Sequence, residues 1–166
     1  MDGNHHLEMT VLMTPDMANF SGNVHGGTIL KFLDQVAYAC ASRYAGSYVV
    51  TLSVDQVNFL QPIHVGELVT FLSSVNYTGT SSMEVGIKVV AENIQAHTTR
   101  HVNSCFFTMV AVGADRKPTP VAPLHPETPD ELRRFNAAKA RKELRRRYAD
   151  LERQVALRSA APVKQD

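Results

Sequence analysis

The chain has 166 residues, of which 44% are hydrophobic and 20% are charged, so it fits a globular domain with a hydrophobic core and not a disordered chain. It contains no run of 18 apolar residues, which argues against a transmembrane helix, and it starts with neither the basic nor the apolar segment of a secretory signal. The charges behind the net charge of +1 are unevenly distributed along the chain. Residues 1–115 carry four basic and nine acidic side chains, whereas residues 116–166 carry thirteen basic and seven acidic side chains.

A short strand and a loop are predicted for the start of the chain. We expect residues 1–8 to be frayed and residues 9–13 to form an edge strand. The sequence Thr14-Pro15-Asp16 ends this strand, because proline fixes its own backbone and lacks an amide donor. Residues 17–25 contain the glycine and asparagine that are typical of a loop.

The loop leads into the first predicted helix, residues 28–43, which contains neither glycine nor proline. Apolar residues cover most of its circumference, a pattern that predicts a helix buried against a sheet. The exception is a narrow polar stripe formed by Lys31, Asp34 and Tyr38. We therefore expect this stripe to face something other than the hydrophobic core.

Four further strands are predicted after the helix, at residues 48–59, 67–77, 83–91 and 98–112. Short links without helices join them. Such a succession indicates an antiparallel sheet rather than parallel strands joined by helices. The expected fold class is therefore α+β, with a curled antiparallel sheet wrapped around one long central helix.

A separate C-terminal segment is predicted to follow. Residues 116–127 contain four prolines and are expected to form an extended linker. A threonine, a proline and two acidic residues at 128–131 are typical of a helix start, and the helix is expected to reach about residue 157. The predicted division is a domain at 1–115, the linker, and a basic helix and tail at 128–166. The helix carries one apolar seam: Ala137, Ala140, Leu144, Tyr148, Leu151 and Val155.

Several classes of chemistry lack their motifs. The seven histidines do not have the spacing of zinc-finger or metalloprotease ligands, so no metal site is expected. No nucleophile elbow, phosphate loop or dinucleotide fingerprint is present. Cys40 and Cys105 lie in apolar stretches and are interpreted as reduced core residues of a cytoplasmic protein. The bases of the C-terminal helix alternate with acids and lack stacking aromatics, which favours a solvated surface over nucleic-acid binding.

The start of the first helix and Asp34 are the candidates for chemistry. The first backbone amides of a helix have no partner within it and favour negative charge. Gly26 and Gly27 leave room for a carbonyl oxygen, so these amides suit an oxyanion hole for acyl transfer. Asp34 lies two turns further on, roughly 10 Å away, so a neighbour's Asp34 in a two-fold dimer is an alternative source of the acid. Asp55 competes as the acid, but its strand setting favours a structural ion pair.

These residues resemble a known family. The sequence from Asn19 to Gly27, Asn-Phe-Ser-Gly-Asn-Val-His-Gly-Gly, together with Asp34, is similar to the hotdog-fold acyl-CoA thioesterases. The resemblance covers residues 9–112 and leaves out the C-terminal helix. Three stretches narrow it to the cytosolic acyl-CoA hydrolase branch (brain acyl-CoA hydrolase-like): residues 51–62, 81–85 and 100–110.

The resemblance implies a lipid-metabolism enzyme that hydrolyses acyl-CoA to a free carboxylic acid and coenzyme A, in a homodimer that assembles into a homohexamer, a trimer of dimers. It implies that Asn19 and Asp34 of different protomers are catalytic, with Asp34 as general base or, less favoured, as nucleophile. Backbone amides of Gly26 or Gly27 would bind the thioester oxygen. No cofactor is implied, because coenzyme A (CoA) is part of the substrate. CoA would lie near Val54, Ser82 and Met83, with Arg100 and His101 as candidates for its phosphates.

The sequence leaves two other classes of function open. One is a non-catalytic acyl-CoA-binding module whose basic tail recognises a partner, although the presence of both Asn19 and Asp34 argues against it. The other is a hotdog dehydratase or hydratase, which uses an Asp–His pair in a different sequence context. The sequence also leaves open the acyl chain length and the role of the C-terminal helix, whose seam we expect to pack against the assembly.

Overall fold

The computed structural model describes residues 5–159. This part of the chain contains five β-strands, two α-helices and one short 3₁₀ helix. The predicted α+β class, with one long helix and an antiparallel sheet, is confirmed. In chain order the elements are β1 (His6–Leu12), the 3₁₀ helix (Pro15–Met17), α1 (Gly26–Ala45), β2 (Tyr48–Val54), β3 (Leu68–Thr78), β4 (Ser82–Asn93), β5 (Thr98–Val112) and α2 (Pro129–Ser159).

The five strands form one antiparallel sheet in the order β1-β3-β4-β5-β2. The links between β3, β4 and β5 are short, whereas α1 separates β1 from β2 along the chain. Three of the four strand pairs contain a break in register, and such irregularities bend the strand that carries them. The sheet therefore curls, and β1 and β2 are its two edges.

The helix α1 packs across one face of this sheet and forms the centre of the core. Its buried side chains meet inward-facing residues of the strands, including Phe71, Val85 and Phe107. Full burial of a side chain of this size contributes about 1.5–3 kcal/mol to folding, so these contacts stabilise helix and sheet together. The three residues of the predicted polar stripe are all exposed. The buried residues of α1 recur at helical spacing: Ile29, Leu33, Val36, Ala37, Cys40 and Ala41.

Several predicted boundaries differ from the structure, including those at the start of β1, the end of β2 and the start of α1. The strand β1 begins at His6 rather than at residue 9, because residues 6–8 pair with β3 and are therefore not frayed; residues 1–4 lie outside the described part of the chain. The strand β2 ends at Val54 rather than at residue 59, since the chain leaves β5 after Asp55 donates a backbone hydrogen bond to it. The helix α1 begins at Gly26 and so includes the glycine pair that was expected to precede it.

The segment 116–125, predicted to be a linker, is attached to the sheet domain. The Tyr44 hydroxyl donates a hydrogen bond to the carbonyl of Ala122 at 3.0 Å, and several backbone amides of the segment donate to residues of the domain. The chain divides into two compact units between His125 and Pro126. The first unit thus continues past residue 115, where the sequence placed the end of the domain.

The second unit contains α2, which starts as predicted. The Thr128 hydroxyl accepts a hydrogen bond from the Glu131 amide at 3.2 Å, and the Glu131 carboxylate accepts from the amides of Glu127 and Thr128. None of the helices between residues 5 and 159 is long and apolar enough to span a membrane. Packing of the apolar seam against an assembly stays a prediction. Four seam residues are exposed: Leu144, Tyr148, Leu151 and Val155.

Candidate functional site

The loop before α1 is folded around the side chain of Asn19. Its carbonyl oxygen Oδ1 accepts hydrogen bonds from the Ser21 amide (2.9 Å), the Ser21 hydroxyl (2.8 Å) and the Asn23 amide (3.2 Å). The loop turns at Gly22, whose φ of 82° favours glycine. Because Oδ1 is committed to the loop, the NH₂ group (Nδ2) of Asn19 is the part able to donate to a bound molecule, and it has no partner among the described residues.

The start of α1 offers one open backbone donor. His25 caps the helix, and its Nδ1 accepts a hydrogen bond from the Gly27 amide at 3.2 Å. The amides of Thr28 and Ile29 donate to the His25 carbonyl. Within the part of the chain that the structure describes, the Gly26 amide has no acceptor, as is usual in a first turn. Of the two predicted oxyanion donors, Gly26 is therefore open and Gly27 is engaged by His25.

Asn19 and Gly26 line the same pocket, which has a volume of about 190 Å³. Phe59, Gln61 and Pro62 line it from the segment that follows β2. A Cβ atom at position 26 would lie 3.7 Å from the Phe59 ring. A side chain there would fill the space between the amide and the ring, so glycine keeps the pocket open beside a helix N-terminus that favours negative charge.

Asp34 lines a second pocket, of about 310 Å³. The Thr51 hydroxyl donates a hydrogen bond to Asp34 Oδ1 at 2.7 Å, which leaves Oδ2 as the open oxygen of the carboxylate. Tyr38 and Tyr48 form an aromatic wall, with ring centroids 6.1 Å apart. Asp34 and Thr51 are both exposed, so this pocket is open to solvent.

The predicted catalytic pair does not share a pocket within one chain. No described residue lines both pockets. Along α1, Gly26 and Asp34 are separated by about two turns, roughly 12 Å. One chain therefore presents two separate groups of residues, which we name the asparagine half-site (Asn19 and Gly26) and the aspartate half-site (Asp34 and Thr51).

The residues predicted to contact CoA lie in different surroundings. Val54 ends β2 and is 43% exposed, while Ser82 begins β4 and is half-buried. Met83 is 1% exposed in the hydrophobic core, and the placement of CoA near it stays a prediction. His101 is exposed, and its Nε2 lies 2.8 Å from the Ser104 hydroxyl.

Arg100 forms an ion pair within the domain. Its Nη1 and Nη2 donate to the two carboxylate oxygens of Glu67 at 2.6 and 2.8 Å, and Nη2 also donates to the Pro62 carbonyl at 2.7 Å. Glu67 is 3% exposed. The hydrogen bond from Arg100 holds the pKa of this carboxyl below its ordinary value, although burial acts in the opposite direction. The phosphate contact proposed for Arg100 stays a prediction, and it would have to compete with this pair.

Both cysteines are buried free thiols. Burial raises the pKa of Cys40, and burial together with the charge of Asp55 raises that of Cys105 to about 12. A thiol that stays protonated at neutral pH is a poor nucleophile. This agrees with the prediction of unreactive core cysteines.

Two residues that support the site were not predicted from the sequence. Thr51 was assigned to a strand and to a stretch that carries the resemblance but received no role in the site, because threonine is an ordinary strand residue and its partner Asp34 lies on the preceding helix. Glu67 was assigned to the start of a strand, and its pairing with Arg100 joins two distant segments. The available signal for Thr51 was that β2 follows α1 after a short turn, which places the two elements side by side.

Residues 21–96 match the family described as Thioesterase superfamily. The chain belongs to this superfamily, among its hotdog-fold acyl-CoA thioesterases. It is 52% identical over 141 residues to Protein VdlD of Helicobacter pylori. The aligned region covers 85% of this chain and 80% of that protein. It is 36% identical over 132 residues to the cytosolic acyl coenzyme A thioester hydrolase of the rat. The aligned region covers 78% of this chain but only 35% of that relative.

Solved structures confirm the hotdog fold. An apo-hexameric acyl-CoA thioesterase superposes with a TM-score of 0.84 at 36% identity, covering 87% of this chain and 92% of that one. The acyl-CoA hydrolase of Staphylococcus aureus, in complex with butyryl coenzyme A, coenzyme A and coenzyme A disulfide, also superposes with a TM-score of 0.84. Its identity is 29%, and the match covers 94% of this chain and 95% of that one. The same hydrolase has been solved with an aspartate, an asparagine and a threonine each replaced by alanine.

Proposed function

We propose that the protein is an acyl-CoA thioesterase that hydrolyses acyl-CoA to a free carboxylic acid and CoA, at a site completed by a second copy of the chain. The observation that carries the proposal is the complementarity of the two half-sites. One holds open donors at Asn19 and Gly26, and the other holds a carboxylate with an open oxygen at Asp34. Hydrolysis of a thioester needs donors for the carbonyl oxygen and a base for water. The Staphylococcus hydrolase bound to butyryl-CoA supports the substrate class.

In the proposed reaction, Asp34 Oδ2 accepts a proton from water while the water oxygen attacks the thioester carbonyl carbon. Thr51, bound to Oδ1, keeps the carboxylate in one orientation. Negative charge develops on the thioester oxygen, where Asn19 Nδ2 and the Gly26 amide donate hydrogen bonds beside the positive end of α1. The carbon–sulfur bond then breaks, and the proton passes from Asp34 to the departing CoA thiolate. The reaction consumes acyl-CoA and water and needs no other reactant, so the proposal includes no cofactor.

Spacing in a relative supports these roles. The asparagine, aspartate and threonine replaced in the Staphylococcus hydrolase follow one another at the same intervals as Asn19, Asp34 and Thr51. The three residue types replaced there are the types of Asn19, Asp34 and Thr51 in the half-sites here. We therefore assign to Thr51 the task of orienting Asp34.

The strand β2 is the edge at which we place the second copy. Within the described chain it pairs with β5 alone. The opposite edge, β1, exposes His6, Glu8 and Thr10, polar residues of the kind that discourage edge pairing. Thr51 lies on β2, so a copy docked there would cover the aspartate half-site. The large apolar side chains exposed on β2 are Tyr48 (60%), Val50 (37%), Leu52 (68%) and Val54 (43%).

We further propose that the dimers assemble into a hexamer and that the protein acts in the cytoplasm. Two structural neighbours are named hexameric, one of them the thioesterase y2039 of Yersinia pestis. The rat relative is named cytosolic. Light scattering of the purified chain tests the assembly, for which we expect a mass six times that of one chain.

The test of function is turnover of a panel of acyl-CoAs, from two to sixteen carbons, followed as release of free thiol. We expect hydrolysis, and we expect Asp34→Asn to lower kcat by about 10²–10⁴-fold at unchanged native mass. Glu8→Gln, which removes an exposed carboxylate on the opposite edge, is the matched control and should keep the wild-type rate. Binding without turnover would favour the acyl-CoA-binding module instead, and a fully active Asp34→Asn variant would refute the assignment.

A further inference from the structure

We propose that the Arg100–Glu67 ion pair is a positioning device for the Asn19 side chain. It acts through the anchor segment, residues 62–64, which lies between the ion pair and the loop of Asn19. The inference rests on the function proposed above, because it assigns Arg100 and Glu67 a task in that reaction. The observation behind it is an unbroken series of hydrogen bonds from the sheet to the asparagine half-site.

The ion pair is anchored in the sheet and largely hidden from solvent. Glu67 directly precedes β3 and is 3% exposed, and Arg100 lies on β5 with a side chain that is 25% exposed. Arg100 binds both carboxylate oxygens, at 2.6 and 2.8 Å. A bidentate, charge-assisted pair of this kind has a restricted geometry, so it sets the direction of the Glu67 carboxylate.

The pair holds both ends of the anchor segment. Arg100 Nη2 donates to the Pro62 carbonyl at 2.7 Å, and the His64 amide donates to Glu67 Oε2 at 2.8 Å. These contacts lie on either side of Ile63, which is 4% exposed in the core. The position of the anchor segment therefore depends on the ion pair.

The anchor segment in turn holds the loop. The Val24 amide donates to the Ile63 carbonyl at 2.8 Å, and Asn23 and His64 form an isolated antiparallel bridge. His64 Nδ1 lies 3.0 Å from Asn23 Oδ1. The Asn23 amide then donates to Asn19 Oδ1 at 3.2 Å, and together with the amide and hydroxyl of Ser21 it sets the direction in which Nδ2 points.

Loss of the Glu67 charge would reach Asn19 along this path. Arg100 would keep a partly buried charge without its counter-ion, and polar groups left without partners cost free energy until the structure shifts. A displacement of about 1 Å in a positioned group can lower turnover by about 10²-fold. Asn19 Nδ2 is proposed to stabilise charge that develops in the transition state. Displacement of Asn19 is therefore expected to lower kcat and to leave KM nearly unchanged.

The test is a double-mutant cycle between Glu67→Gln and Asn19→Ala in the full chain. We expect Glu67→Gln alone to lower kcat about tenfold with KM within about twofold. When residue 19 is already alanine, the same change should alter kcat by less than about twofold. Asp130→Asn is the control, because it removes the carboxylate of an exposed ion pair with Arg133 and Arg134 in α2 and should leave kcat unchanged.

Amide hydrogen exchange gives a readout that does not depend on activity. Glu67→Gln is expected to speed exchange in residues 17–25 by about tenfold while β4 keeps its protection. Equal losses of kcat in both backgrounds at Asn19, or unchanged exchange in residues 17–25, would overturn the positioning role. If the wild-type chain does not hydrolyse acyl-CoA, the proposed function fails, and the exchange measurement still decides the positioning.

A second variant, His64→Ala, covers the case in which Glu67→Gln does not fold. His64 is exposed, and its truncation removes the contact with Asn23 while it leaves the ion pair in place. We expect kcat to fall about threefold when Asn19 is present and not to change when residue 19 is alanine. A loss of the same size in both backgrounds would count against the proposal.

Discussion

The asparagine half-site and the aspartate half-site are built in opposite ways. In the first, Asn19 Oδ1 accepts three hydrogen bonds, and its loop is tied through the anchor segment to the partly buried ion pair of Arg100 and Glu67. In the second, the contact from Thr51 to Asp34 is the one side-chain hydrogen bond that the carboxylate receives within the described chain. This half-site opens at β2, where large apolar side chains are exposed.

The difference concerns how much of each half-site one chain encloses by itself. A donor for developing charge is effective when it is held in place before the reaction, and the loops of one chain can do this. A site that excludes water needs walls on all sides, and the aspartate half-site lacks one where β2 forms an open edge. In the proposed function, a second copy docked on β2 supplies the wall that the aspartate half-site lacks within one chain.

The largest expected effect comes from charging the open edge. Leu52→Asp places a carboxylate on β2 where the wild-type side chain is 68% exposed. We expect the native mass to fall to that of a single chain and kcat/KM to drop by at least about 100-fold, because a buried unpaired charge opposes association and each half-site loses its complement. Light scattering and thiol release measure the two effects.

Leu157→Asp is the control for this prediction. It makes the same change at a leucine that is 73% exposed on α2. We expect it to keep the wild-type mass and activity. A Leu52→Asp protein that stays assembled and active would show that β2 is not the interface and that one chain holds a complete site.

A smaller effect is expected within the aspartate half-site. Thr51→Val keeps the shape of the side chain and removes the hydroxyl that donates to Asp34. We expect kcat to fall about tenfold at unchanged native mass, because the carboxylate loses its one fixed orientation. Steady-state kinetics at saturating acyl-CoA measure this. A rate equal to that of the wild type would mean that Thr51 does not orient the base.

The smallest effect concerns the acid stability of the asparagine half-site. The hydrogen bond from Arg100 lowers the pKa of Glu67 in the folded chain, so its stabilising contribution is complete above the ordinary carboxyl pKa and is lost as the pH falls through the lower folded-state value. The difference in unfolding free energy between wild type and Glu67→Gln should therefore narrow as the pH falls below the ordinary carboxyl pKa. Denaturant titrations measure it, and a constant difference would contradict the assignment.

Elements with a local pattern were predictable from the sequence. The range predicted for the last strand, residues 98–112, matches β5, and the cap at Thr128 located the start of α2. The run from Asn19 to Asp34 carried the family resemblance. The match to the thioesterase superfamily and the likeness to solved acyl-CoA thioesterases then supported it.

Contacts between distant segments were not predictable in this way. Thr51 and Asp34 are 17 residues apart, and Arg100 and Glu67 are 33 apart. Local composition does not reveal which hydroxyl or carboxylate will meet which partner, since that depends on how the sheet curls around α1. The early start of β1 has the same cause, because pairing with β3 orders residues that have no strong pattern of their own.

The most direct test of a site shared between two copies is complementation. Asn19→Ala and Asp34→Asn are each expected to be nearly inactive, and the two variants are produced together in equal amounts in one cell. Random pairing makes half of the dimers mixed, and one of the two sites in each mixed dimer keeps both Asn19 and Asp34. We therefore expect recovery to about a quarter of the wild-type kcat. Activity no higher than that of either variant alone would show that two copies of the chain do not share the site.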